Sequence, residues 1–145
     1  MTLNLVKLCV GVDSIEDLQA SVDFGLADKK ARGVEEIQFH TTRMVPKRSD
    51  ELLDGGSLYW VIKGNIQVRQ YIREIRPFTD TAGISRCRIV FEPRLIPTVW
   101  QPRRAFQGWR YLSAKDAPAD LAANNAGILA LPAELRRELA DLGLL

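Results

Sequence analysis

Residues 55–72, Gly-Gly-Ser-Leu-Tyr-Trp-Val-Ile-Lys-Gly-Asn-Ile-Gln-Val-Arg-Gln-Tyr-Ile, constrain the fold more than any other stretch of the chain. Leu58, Trp60 and Ile62 alternate with Tyr59, Val61 and Lys63, so a strand here is apolar on both faces, the pattern of a strand covered from both sides. It is expected at the centre of a sheet. Gly64-Asn65 suits a two-residue turn that needs positive φ, and Ile66, Val68, Gln70 and Ile72 then share one face of a return strand. That parity puts Gln70 on the apolar side. A buried amide without partners is costly, so Gln70 either hydrogen-bonds inside the fold or opens onto a ligand.

A chain of 145 residues, 46% hydrophobic and 26% charged, has the composition of one globular domain and can bury a core. It contains no run of apolar residues long enough to span a bilayer, and Met1-Thr2-Leu3-Asn4-Leu5-Val6-Lys7 lacks the pattern of a secretory signal. A cytoplasmic protein with no membrane partner is expected. Cys9 and Cys87 both fall in strand-like patterns and read as buried structural thiols, since neither belongs to a CxxC or Cys-His pair.

The net charge is only +2, but it is unevenly spread. Residues 1–28 hold one base against five acids, whereas residues 57–112 hold ten bases against three acids, and nine of those ten are arginine. The planar arginine fork suits phosphate, so this middle segment raises the question of an anionic partner. For any one arginine, a place on a solvated sheet face is favoured over contact with a ligand.

In chain order, Leu3 to Val10 is a strand with a parity switch, buried on both faces or bulged. Ser14 with Asp17 marks a helix start. Ile15, Leu18, Val22 and Leu26 follow at helical spacing until Gly33 offers a left-handed stop, which predicts an amphipathic helix of about five turns. Ile37–His40 is a short strand, followed by the polar segment from Thr41 to Gly56. Arg43, Lys47 and Arg48, with no acid among them, make this the favoured active loop. His40 is the only histidine and cannot make a metal site alone; a strand-end histidine with a satisfied hydrogen bond is favoured over a catalytic one.

The return strand from Ile66 is expected to change parity at Ile75 and to end at Pro77. A further strand places Cys87, Ile89 and Phe91 on one face and Arg86, Arg88 and Val90 on the other. Pro93, Pro97 and Pro102 exclude a long helix or a central strand, so this segment crosses the surface or forms an edge. In the mixed run Arg103 to Leu112, aromatic anchoring to the core is favoured over base stacking. Near the C-terminus, Pro132 opens a short helix whose stripe of Leu135, Leu139 and Leu142 is expected to pack on the domain.

No Walker loop, dinucleotide fingerprint, HExxH, GxSxG, zinc pattern or calcium loop is present, so neither a cofactor nor a metal is expected. The adjacent acids Glu35-Glu36 and Asp50-Glu51 point to opposite faces of a strand and do not form a catalytic dyad.

The order strand, amphipathic helix, Gly33, short strand, basic loop, Tyr-Trp hairpin, long strand, then Phe106-Gln107-Gly108-Trp109-Arg110-Tyr111-Leu112 resembles the PUA-like superfamily, which includes the ASCH and EVE domains. The resemblance covers about residues 3–112 and implies a small β-barrel with flanking helices that binds RNA or modified bases. Of the ASCH motif Gly-x-Lys-x-x-(Glu, Arg or Asn), Gly33 matches, Glu35 stands in the lysine position and Gln38 in the last one. The segment from His40-Thr41-Thr42-Arg43 to Arg69-Gln70 also resembles an alphaproteobacterial domain-of-unknown-function family.

The expected structure is therefore one α+β domain over residues 1–145, with a mixed or mainly antiparallel barrel-like sheet over 3–112 and a helical extension over 113–145. The expected function is non-catalytic binding of RNA or a nucleotide-like anion. The expected site unites His40, Arg43, Lys47, Arg48, Trp60, Lys63, Arg69 and Gln70. A small hydrolase using His40 with a nearby acid, and a protein-interaction module, are the alternatives.

Overall fold

The computed structural model describes residues 2–121 and 131–142, and among them seven strands and three helices. In order they are β1 (Leu3–Leu8), α1 (Ile15–Ala31), β2 (Gln38–Thr42), α2 (Ser49–Leu52), β3 (Ser57–Ile62), β4 (Asn65–Thr79), β5 (Ser85–Phe91), β6 (Ile96–Pro102), β7 (Trp109–Ser113) and α3 (Ala133–Asp141). The strands form a mixed sheet in the order β2-β5-β4-β3-β1-β7, with β6 also paired to β4. Among the described residues the β1–β3 pairing alone is parallel. The protein is α+β.

β4 is the hub. Its first half carries β3 along one edge, and the other edge carries β6 and then β5, both antiparallel, from Asn65↔Pro102 through Ile72↔Phe91 to Thr79↔Ser85, with register shifts between Ile66 and Val68 and between Ile72 and Glu74. Two bonds fix these sides: Ile72 N–H donates to Gly56 O and Tyr71 O accepts from Glu92 N–H, and the two groups of one peptide unit point opposite ways. The strand runs through Pro77 to Thr79 instead of ending there. Pro77 lies where β5 is the one ladder partner of β4 among the described residues, so its missing N–H can face the unpaired edge without loss.

β3 is buried along its whole length, between β4 and β1, as its two-faced apolar pattern requires. The β3–β4 turn falls on Lys63-Gly64, one residue earlier than the sequence suggested. Both have positive φ, 49° and 85°, and Asn65 already pairs with Ile62. A register shift opposite Trp60/Val61 then admits Gln67 as an extra residue, whose side-chain amide donates to Ile62 O. The bulge changes the face of Ile66 relative to Val68, so the expected single row from Ile66 to Ile72 is split.

The core accordingly has two parts. On one face Leu5, Leu58, Trp60, Ile62, Val68, Ile72, Ile89 and Phe91 pack with Leu18 and Val22 of α1 and Leu52 of α2. On the opposite face Val6, Tyr59, Val61, Ile66 and Leu112 pack under Phe106 and Ala117. Ser14 caps α1 as expected, its Oγ accepting from Asp17 N–H at 3.2 Å. β6 is the edge strand that its prolines require, and Trp109 anchors β7 to the core.

Two expectations change. Barrel closure is not present among the described ladders, which leave an open sheet from β2 to β7. α3 exists, but it buries Arg136 and leaves Leu135 44% and Leu142 71% exposed. Ion pairing, not the leucine stripe, docks this helix: Arg136 meets Glu16 of α1, and Arg137 donates to Lys63 O and Asp13 O.

The tightest backbone approach is at Gly56, where a Cβ would lie 2.2 Å from Leu3 O and 2.3 Å from Leu52 O. Gly55 has φ +79° but open space around it. Gly55→Ala is expected to cost about 1–2 kcal/mol through its left-handed backbone, and Gly56→Ala more than about 3 kcal/mol through overpacking of backbone. Urea unfolding of the two variants checks the order.

Candidate functional site

The loop after β2 ties the two ends of the open sheet together. Thr42 Oγ1 and Trp109 Nε1 both donate to Met44 O, at 2.7 and 2.9 Å, and Tyr111 OH accepts from Lys47 N–H and Arg48 N–H at 3.1 and 3.2 Å. Val45 packs on the core and Pro46 is buried. Three side chains on β2 and β7 thus hold residues 44–48 across a gap that no ladder bridges among the described residues.

Trp109, the donor to Met44 O, is the cross-strand neighbour of Lys7, whose Cα pairs with Trp60 on one side and Trp109 on the other. Directly opposed residues share a face, so Lys7 lies on the α1 face with both indoles. It is half-buried, and no carboxylate or hydrogen-bond acceptor meets its ammonium among the described residues. Burial pulls its pKa below the ordinary lysine value. His40 is also half-buried, its ring edge-on to Trp60 at 6.1 Å. Burial first, and the Lys7 charge second, hold the imidazole below its usual pKa. The satisfied hydrogen bond expected for His40 is not found: its ring nitrogens meet no described protein partner. Cys9 is nearby, and burial pushes its thiol up to about 11, so it is no thiolate at neutral pH.

The expected site residues divide into three groups. His40, on β2, turns its ring to Trp60, while Arg43 and Lys47, exposed and without a carboxylate partner among the described residues, flank Met44 in the loop. Arg48 belongs to the same loop, but its guanidinium is held bidentately by Glu51 at 2.5 and 2.8 Å and stacks over Tyr111. Trp60 and Gln70 are core groups. Gln70 Oε1 accepts from Trp60 Nε1 at 2.9 Å, and Gln70 Nε2 donates to Gln38 Oε1 and Glu92 O, so neither side chain is left to meet a ligand. Lys63 sits in the hairpin turn, paired with Asp13.

Arg69 is on the other face. The row Arg69, Tyr59, Val6, Arg110 runs across β4, β3, β1 and β7, and the neighbouring row Gln70, Leu58, Leu5, Tyr111 faces the opposite way. The loop contacts Tyr111, so Arg69 does not share its site. Lys7 was missed by sequence reasoning, although its odd parity with the buried Leu3 and Leu5 was a readable signal.

A family model described as "Protein of unknown function (DUF1489)" matches residues 5–145. The chain belongs to this DUF1489 family. No curated protein and no solved structure matches it. Among the described residues of this DUF1489 chain no helix is long and apolar enough to cross a membrane, and no group of three or more metal-ligating side chains occurs.

The depressed His40 pKa has a signed consequence. As pH falls through the ordinary value of 6.5, the unfolded chain takes up a proton that folded His40 resists, so folding stability drops between that value and the lower folded one. His40→Asn is expected to flatten the thermal-stability profile below pH 6.5 and to leave its shape above about pH 7.5 unchanged. Melting temperatures of both proteins across this range test it.

Proposed function

We propose that the protein binds a nucleotide-like anion without turning it over, holding the phosphate between Lys7 and the Arg43–Lys47 loop. The observation that carries this reading is Lys7: a half-buried ammonium, walled by two tryptophans, with no described carboxylate to neutralise it. A desolvated charge without a partner is costly, and a bound anion would offset that cost. Neutral His40 can donate to or accept from the ligand beside it, while Arg43 and Lys47 supply two more uncompensated charges.

The same bookkeeping thins the arginine-rich middle segment, although Arg73, Arg94, Arg103 and Arg104 have no ion-pair partner among the described residues. Arg69, Arg76 and Arg86 are paired with Asp120, with Glu35 and Glu74, and with Asp80, and Lys63 with Asp13. Arg88 stacks on Phe39 and Phe78, and Arg110 on Phe106. Trp60 and Trp109 are 5% and 6% exposed, so they wall the site and offer no face for base stacking. Recognition then rests on one phosphate group, presented by a free nucleotide or by the end of an RNA strand. The resemblance to the PUA-like superfamily points the same way. A cytoplasmic location belongs to the same reading.

Titration with adenosine monophosphate and with a 5′-phosphorylated RNA hexamer, at several salt concentrations, tests the proposal. Lys7→Met should weaken both by about tenfold or more and at the same time raise the melting temperature, because it removes an unpaired, partly desolvated charge. Arg43→Glu with Lys47→Glu should flatten the RNA salt slope by about one to two units and leave the melting temperature nearly unchanged. Binding that is indifferent to all three substitutions, or absent at low salt, would refute the site.

A further inference from the structure

The opposite face of the sheet carries a cleft of about 370 Å³, floored by Asn4, Ser57, Tyr59, Arg69 and Tyr71 and walled by residues 117–120. That volume is within the range of about 300–1,000 Å³ usual for small-ligand sites. Its floor residues are cross-strand neighbours on one face, Ser57 opposite Tyr71 and Tyr59 opposite Arg69.

Two floor residues are mostly buried, and each keeps one polar atom that meets no partner among the described residues. Tyr59 is 6% exposed, and its hydroxyl meets no hydrogen-bond partner among the described residues; burial raises its pKa, so it remains a neutral phenol able to donate. Asn4 is 5% exposed, and its Oδ1 accepts from Ser57 N–H at 2.9 Å. The Asn4 amide nitrogen is therefore the atom left over, with two protons to give.

The charge in the cleft is balanced. Arg69 holds Asp120 bidentately at 2.7 and 2.8 Å and donates to Ser57 Oγ at 2.8 Å. Arg69 keeps the Asp120 carboxyl well below its usual range, and that carboxylate, 46% exposed, retains lone pairs for a further donor. Free donors on the floor and a free acceptor on the wall, with no net charge, select against anions and favour a ligand that is itself neutral and bifunctional.

We propose that this cleft is a second binding site, for an uncharged cyclic amide or ureide whose carbonyl accepts from Tyr59 and Asn4 and whose N–H donates to Asp120. Its electrostatics separate it from the Lys7 site, which takes anions on the other face.

Saturation-transfer NMR on the full chain, with hydantoin as the probe, tests this, with acetate as the charged control and cyclopentanone as the control without N–H. Hydantoin should bind at millimolar concentration and both controls more weakly. Tyr59→Phe should lower hydantoin affinity about tenfold without shifting the melting temperature, since that hydroxyl has no protein partner to lose. Asp120→Asn should invert the preference, because uncovered Arg69 then attracts acetate. Lys7→Met should leave hydantoin binding unchanged even if the anion site proves wrong. No hydantoin signal, equal binding of acetate by the unaltered protein, or indifference to Tyr59→Phe would overturn the proposal. Should Tyr59→Phe not fold, the selectivity of Asp120→Asn decides.

Discussion

The side-chain amide of Gln70 is the interaction on which the sheet depends. Fully buried on β4, it accepts from Trp60 of β3, exchanges bonds with Gln38 of β2 and donates to Glu92 O at the break between β5 and β6. One residue thus fixes the hairpin, the edge strand and the point where one long ladder changes partner. In a low-dielectric interior each bond is strengthened by the others, and loss of any member would leave a buried polar atom unsatisfied. The dry core around the network tolerates it only because every hydrogen-bonding group is used.

This dependence explains which parts of the fold were legible. The β3 pattern gave its burial and its central place, and the parity of Gln70 gave the choice between internal satisfaction and a ligand; the structure takes the first. The turn was misplaced by one residue because Lys63 adopts a positive φ of 49°, which a lysine does not advertise, and the bulge at Gln67 then altered the parity. The C-terminal leucines failed as a guide for a different reason. A short helix can be docked by two arginines whose partners, Glu16, Asp13 and Lys63 O, lie more than seventy residues away in sequence.

Charge was the least legible property. A count of arginines shows abundance, but whether a guanidinium is available depends on tertiary pairing. Glu35, Asp80 and Asp120 each reach an arginine across strands or loops. Among the described residues the cations without an ion pair include the surface residues Arg43, Lys47, Arg73, Arg94 and Arg104, whereas Lys7, which comes from an acidic N-terminal segment, is half-buried. The two-faced sheet also separates groups that sequence places side by side: Arg69 and Gln70 are neighbours in the chain and on opposite sides of the protein.

The position of β1 bears on how the chain must be assembled. β1 lies inside the sheet, parallel to β3 and antiparallel to β7, with Leu3 opposite Ser113. During synthesis β1 therefore has one edge without its eventual neighbour until residues 109–113 have followed it. Pairings this distant in sequence form slowly, and an unfilled edge is open to association with another nascent copy. Lys7, halfway buried on that same strand, places a charge on it throughout the wait, the kind of residue that discourages pairing of an open edge.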